Sequence, residues 1–243
     1  MKIDLNFDAG EHDAVNTEAA VMPYITSVNV ACGLHAGSPK VMHAVIRLAK
    51  QYNVCVGAHP SWPDRENFGR REMWLPLDEV EALVSYQVGA LAAIARMEAM
   101  ELRHVKPHGA LYNQAAENAE LAEAIVRAVK RFSQDLIVVG LAGSYLVEAA
   151  RAIGLPAAGE AFPDRAYRPD GTLMPRNQPG AVLEDPVQVA ANAVRLAREG
   201  IRRGETLLQP DTLCLHGDTH CAAENARQVR AALEAAGMLL EPL

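Results

Sequence analysis

No apolar run in the 243-residue sequence approaches the ~18 residues that a membrane-spanning helix needs. Met1 leads straight into KIDLNFDAG, without an apolar leader segment. A soluble cytoplasmic protein is the expectation. Basic residues are not in excess: 23 Lys and Arg stand against 30 Asp and Glu, a net charge of −7 with the two signs mixed along the chain. That removes the electrostatic footprint of a nucleic-acid binder, so neither nucleic acid nor membrane is expected as a partner. Cysteine is sparse. Cys32, Cys55, Cys214 and Cys221 include no C-x-x-C pair, which excludes the usual structural zinc site. They read as small buried apolar residues in a reducing compartment. The phosphate loop G-x-x-x-x-G-K-[ST], the dinucleotide fingerprint G-x-G-x-x-G, the nucleophile elbow G-x-S-x-G and the zinc helix H-E-x-x-H are also missing.

What is present is alternation. Half of the residues are apolar, enough to bury a sizeable core. Short strand-like runs occur at 2–8, 27–32, 54–59, 103–108, 136–141, 156–162 and 212–218. Several of them are continuously apolar, as in strands covered on both faces. Helical patterns lie between them. Ser38-Pro39 and Asp185-Pro186 each combine a capping side chain with a first-turn proline. Asp78 with Glu81 resembles a capping box, and Gly154 and Gly237 resemble helix stops. Further helices are expected at 39–52, 117–131, 144–153 and 222–236, with one from Asp185 to about Arg203. Strand and helix alternating seven times predicts parallel strands with helical crossovers. That many units favours an α/β fold of one domain, 1–243: a (β/α) barrel of about seven parallel strands. Two connections, 60–77 and 163–184, are long enough to be binding loops or lids.

In such a barrel the chemistry sits at the C-terminal ends of the strands. Those ends hold Asn6 and Asp8, His35, His59, Lys106 and His108, Asp164 and Arg165, and His216 and Asp218. Buried charges and imidazoles are costly without partners, so core packing does not account for the set. LRHVKPHGALYN, residues 102–113, shows this in one segment: His104, Lys106 and His108 alternate onto one face, toward the barrel interior. Imidazoles carry protons near neutral pH. Lys106 offers a fixed cation for an oxyanion or phosphate. Asp218 suits orienting an imidazole or acting as a base. No metal is assigned; Asp8, His35 and His59 are the residues that would form an O/N/N set for a divalent ion. His43 reads as a surface residue of the 39–52 helix.

Six motifs in order, KIDLNFDAGE, MPYITSVNVACGLHAGSP, VGAHPSWPD with FGRR, LRHVKPHGALYN, FPDRAYRPDGTLMPRNQPGAV and DTLCLHGDT, span nearly the whole chain. Together they resemble the family of the A subunits of bacterial ATP-dependent 5-oxoprolinases, also called the lactam-utilisation protein B family. The resemblance implies a barrel of the glycoside hydrolase/deacetylase type. It implies opening of 5-oxoproline to L-glutamate, with ATP consumed in the overall reaction and partner subunits B and C. Two departures stand out. Phe7 and Ala9 replace the family's usual Cys and Leu, and His220-Cys221 replaces Pro-Gly after HGDT.

For this chemistry the catalytic candidates are Asp8, His59, Lys106, His108, His216 and Asp218, with Asn6, His35 and Arg165 as substrate-binding candidates. Lys106 and Arg165 would neutralise a phosphate or the substrate carboxylate. Asp8 or Asp218 would act as base toward water, and His59, His108 or His216 would supply a proton. Two other readings stay open on the residues alone. One is a metal-dependent, deacetylase-like hydrolase; the other is a non-catalytic subunit that captures substrate. A homo-oligomer is left open.

Overall fold

The computed structural model describes residues 1–12, 15–168, 170–176, 178–217 and 221–243. The elements run β1 (Lys2–Ala9), α1 (Asn16–Val21), β2 (Ser27–Ala31), α2 (Pro39–Tyr52), β3 (Cys55–His59), α3 (Leu77–Met97), β4 (Leu102–Val105), α4 (Gly109–Glu117) and α5 (Ala119–Phe132). They continue with β5 (Ile137–Leu141), α6 (Tyr145–Ala152), β6 (Ala157–Ala161), α7 (Pro186–Glu199), β7 (Ile201–Arg203), β8 (Thr206–Leu208), β9 (Thr212–Leu215), α8 (Ala222–Ala235) and β10 (Leu239–Leu240). Strands β1 to β6 pair in order, all parallel, and β9 joins β6 to β1. Among the described residues this closes a barrel of seven parallel strands, as the alternation predicts. β10 adds to β1 outside the ring, and β7 and β8 form a separate hairpin.

Helix ends follow their local chemistry. Ser38 accepts from the Val41 amide and Asp185 from the Val187 amide, each ahead of a first-turn proline. Asn118 and Ser144 cap α5 and α6 in the same way. Four expectations change. Helix α3 starts at Leu77 after Pro76, so Asp78 lies in its first turn and caps nothing. Glu81 instead meets Arg127 and Arg131 of α5. Helix α7 stops at Glu199, because Gly200 turns at φ +71° and the chain enters the β7–β8 hairpin. Strand β4 ends at Val105, yet the amides of Lys106 and His108 still bond to the Ala58 and Pro60 carbonyls of the β3 segment. Helix α4 is an element that the periodicity does not predict. It begins directly at Gly109, at φ +57° and with no capping side chain.

Helix α3 is one exception to the absence of span-length apolar segments. Its 21 residues are long and apolar enough to cross a bilayer by length and composition. Here one face, with Val80, Val84, Val88 and Leu91, is buried in the core, and Gln87 bonds both ways with the backbone of Ser61.

Strand β1 sets the inside and outside of the barrel. Ile3, Leu5, Phe7 and Ala9 join the apolar core against the helices. Asp4, Asn6 and Asp8 alternate with them, equally buried, and face polar partners across the ring. The interior of such a barrel is ordinarily filled by branched apolar side chains. This one holds a hydrogen-bonded polar column. At its base Asp4 accepts from Thr26, Ser27 and Thr212. Above it Asn6 donates to Glu160 and Thr212 and accepts from Asn29. Asn29 also donates to Asp8 and accepts from His104.

His104 fits only because its neighbour on β3 is Gly57. A Cβ built there would lie 2.0 Å from His104 Nε2. Burial, and next the Lys106 charge, push the His104 imidazole down to about 3, so the ring is neutral. The Gly57→Ala variant is expected to expel the ring and break its bond to Asn29. That overpacking costs about 1–3 kcal/mol, read as a lower urea midpoint at unchanged slope. An unshifted midpoint would mean that the ring has room to move.

Candidate active site

The C-terminal mouth of the barrel opens into a cavity of about 780 Å³. Its floor is formed by Asp8, His59, Lys106, His108 and His216 from the ends of β1, β3, β4 and β9, and Glu11 joins them just after β1. The two long connections supply the rim, with Arg70 and Trp74 from one and Arg165, Arg168 and Arg176 from the other. The main chain gives the second connection a framework through the bridges Arg165–Val182 and Tyr167–Leu173. Arg165 ties it further by donating to the Met174 carbonyl at 2.6 Å.

Lys106 is the electrostatic centre of the floor. Its ammonium, 2% exposed, donates to Asp8 Oδ1 at 2.8 Å, Cys214 Sγ at 2.9 Å and Asn6 Oδ1 at 3.4 Å, and pairs with Glu160 Oε1 at 2.9 Å. The Phe162 ring lies 5.4 Å from it. Burial alone would favour the neutral amine, but the Asp8, Cys214 and Glu160 groups hold Lys106 firmly protonated. Burial would likewise raise the Asp8 carboxyl; Lys106 and then His59 outweigh it and keep that carboxyl well below the usual range. An ammonium has three donors, and all three are committed here. The structure therefore changes the role expected of Lys106. It fixes Asp8 and Glu160 in place and has no spare donor for a substrate phosphate.

A second unit is formed by His216 and Asp164. Asp164 Oδ2 accepts from the His216 backbone amide at 3.1 Å and from Nδ1 at 2.8 Å. Burial pushes the Asp164 carboxyl up, but His216 overrides it, and the carboxylate stays ionised. With Nδ1 carrying its proton toward Asp164, Nε2 is left as the proton acceptor, the arrangement that orients a general base. Phe162 stacks on the ring with centroids 5.4 Å apart. Asp8, Cys214 and His216 bring one donor atom each within 4.8 Å of one another.

A third unit holds the remaining histidines. His59 Nδ1 bonds to the Lys106 carbonyl at 2.7 Å and His108 Nε2 to the Phe68 carbonyl at 2.9 Å. His59 Nε2 and His108 Nδ1 then face each other at 3.0 Å. His35 stacks on His108 at 3.8 Å, with the ring planes 3° apart. Burial, with neighbouring imidazoles second, pushes both His35 and His108 well below the ordinary histidine value. Glu11, His35, His59 and His108 form a group whose donor atoms all lie within 4.8 Å of one another.

Most of the expected site residues are thus brought together, with three changes. Asn6 is buried, and both ends of its amide are engaged by Glu160, Thr212 and Asn29, so it supports the floor from below. His35 lies behind His108 and is not among the residues that line the cavity. The metal set expected from the sequence divides, because His35 and His59 group with Glu11 and His108 while Asp8 groups with Cys214 and His216. Asp218 and His220 lie outside the described residues, and the carboxylate that orients His216 is Asp164. The expectation for Cys214 as a plain apolar filler also changes, since it accepts from Lys106.

Residues that the sequence does not single out are Glu11, Asn29, Tyr112 and Glu160. Glu160 takes both the Lys106 ammonium and the Tyr112 hydroxyl, the latter at 2.9 Å. Its one signal in the sequence is an acid inside the small-residue strand AAGEA, where an unpaired charge is too costly to bury.

Residues 3–243 match the LamB/YcsF family. The A subunit of the 5-oxoprolinase of Pyrococcus furiosus is 48% identical over 250 residues, covering 100% of this chain and 98% of the relative. The lactam utilization protein of Thermus thermophilus superposes with a TM-score of 0.90 at 45% identity, covering 100% of both chains. A family 4 carbohydrate esterase from Streptomyces lividans shares the fold, with a TM-score of 0.55 at 11% identity over 98% of this chain and 91% of that one.

Proposed function

The chain belongs to the LamB/YcsF family, and from that premise we propose that it is the A subunit of a 5-oxoprolinase, an enzyme that opens the ring of 5-oxoproline to give glutamate. The observation that carries the reading is the convergence, on one cavity floor, of an ionised Asp8 and a carboxylate-oriented His216 beneath an arginine-bearing rim. A lactam is a resonance-stabilised amide whose hydrolysis needs a directed water, a proton for the leaving nitrogen and charge compensation. Asp8, held ionised by Lys106, directs the water. His216, held by Asp164, takes up a proton on Nε2 and passes it to the ring nitrogen as the C–N bond breaks. Arg165 and its neighbours on the rim receive the substrate carboxylate.

The relatives are named as the A subunits of their enzymes. That supports work within a complex, and we extend it to two partners, B and C. ATP is consumed in the overall reaction in this proposal. The sequence has no phosphate-loop motif, and the partners handle the nucleotide at least in part. The proposal places the protein in the cytoplasm, which suits its four unpaired cysteines.

Glutamate release from 5-oxoproline and ATP is expected only when this chain is mixed with both partner subunits, and not from the chain alone. A complex lacking this chain should also be silent. Equal release with and without the chain would overturn the assignment.

A further inference from the structure

We propose that Glu11, His35, His59 and His108 form a binding site for one divalent ion of the zinc class. The inference concerns the floor of the same cavity but does not depend on which substrate enters it.

Two backbone carbonyls carry the argument. A carbonyl oxygen only accepts, so the ring nitrogen facing it must bear the hydrogen. His59 therefore carries its hydrogen on Nδ1, toward the Lys106 carbonyl, and His108 on Nε2, toward the Phe68 carbonyl. Each bond leaves a lone pair on the opposite nitrogen. Those two nitrogens, His59 Nε2 and His108 Nδ1, stand 3.0 Å apart. Two lone pairs at that distance repel unless a cation lies between them. Hydrogen-bonding the far nitrogen to a backbone carbonyl is also how metal-ligating histidines are usually fixed.

A shared proton would reconcile these two atoms and no others. It leaves His35 unexplained. That ring is 1% exposed, and neither of its nitrogens has a hydrogen-bond partner among the described residues. Glu11 Oε1 lies 3.7 Å from its Nε2 and is in turn 3.4 Å from His108 Nδ1. A metal ion satisfies four donors at once. Ligands about 2.1 Å from a tetrahedral centre lie about 3.4 Å from one another. The three separations here, 3.0, 3.4 and 3.7 Å, bracket that edge. Three imidazoles and one carboxylate are a donor set for zinc and its neighbours rather than for calcium or magnesium. His35 and His108 are stacked almost parallel, so binding must tilt one ring, and the unpartnered His35 is the one able to move. Glu11, His59 and His108 line the cavity, which puts the ion within reach of whatever the cavity holds.

The test uses the full chain without an affinity tag of histidines, stripped with chelator and then titrated with Zn²⁺ against a chromophoric competitor. One ion per chain is expected. X-ray absorption at the zinc edge should show three imidazoles at about 2.0–2.1 Å. His35→Asn and His108→Asn should each weaken binding at least about 10-fold. His43→Ala, which alters an outer pair with Glu98, should bind as the parent does. No stoichiometric uptake by the unmodified chain overturns the proposal. So does an absorption spectrum with fewer than three imidazoles, a readout that stands even where a variant fails to fold. Uptake is measured on the chain alone and glutamate release on the assembled complex, so either result can fail without the other.

Discussion

Lys106→Met is expected to lower the melting temperature by about 10 °C. Methionine matches the length and apolar volume of the lysine stem, so the loss is electrostatic. Without the ammonium, Asp8 and Glu160 remain buried and lose the counter-charge they share. Removing one partner of a buried ion pair costs about 3–5 kcal/mol, and in a chain of this size each kcal/mol moves the midpoint by about 2–4 °C. Glu160→Gln added to Lys106→Met removes one of the stranded charges and should recover part of the loss. In a double-mutant cycle the coupling should exceed about 1 kcal/mol. A Lys106→Met protein within about 1 kcal/mol of the parent would show that the ammonium is not the keystone of the floor.

Asp8→Asn is expected to cut glutamate release by the assembled enzyme by roughly 10²–10⁴-fold, the usual range for loss of a general base. The fold should survive. The amide oxygen can still accept from Lys106 and Asn29, as Asp8 Oδ1 does now. The amide nitrogen can turn to His59 Nε2, which lies 3.4 Å from Asp8 Oδ2. The loss should fall on kcat, with KM little changed, because the missing charge acts on the attacking water and not on the substrate carboxylate. Unchanged turnover, with a normal melting curve, would move the base role to His216.

The barrel is legible because parallel strands and their crossovers write different periods into the chain, and because prolines mark the starts of α2 and α7. Segment 102–113 is also readable: His104, Lys106 and His108 do share the inward face, with Val105 packed outward in the core. Other features are hidden for physical reasons. Helix α4 has no capping side chain to announce it, and its start depends on Gly109 passing close to the Gly69 carbonyl, where a Cβ would come within 2.5 Å. Strand β1 alternates polar and apolar residues, a pattern usual for a half-exposed strand, yet it is buried on both faces because the barrel interior is itself polar. Lys106 reads as a substrate ligand because sequence reports a charge but not its neighbours. Glu160, Cys214 and Asp8, which surround its ammonium, lie 54, 108 and 98 positions away along the chain.

The closure of the barrel by β9 on β1 also sets the order in which the protein can mature on the ribosome. Asp4 and Asn6 both bond to Thr212, more than 200 positions downstream. At about 5–20 residues per second, the first strand waits roughly 10–40 s for that partner to be made. Through this interval its carboxylates have no complete ring around them, and the half-made sheet presents a bare edge at each end. The reactive floor, which needs Asp8 from the first strand of the ring and His216 after the last, therefore comes into being only once residue 216 has been made.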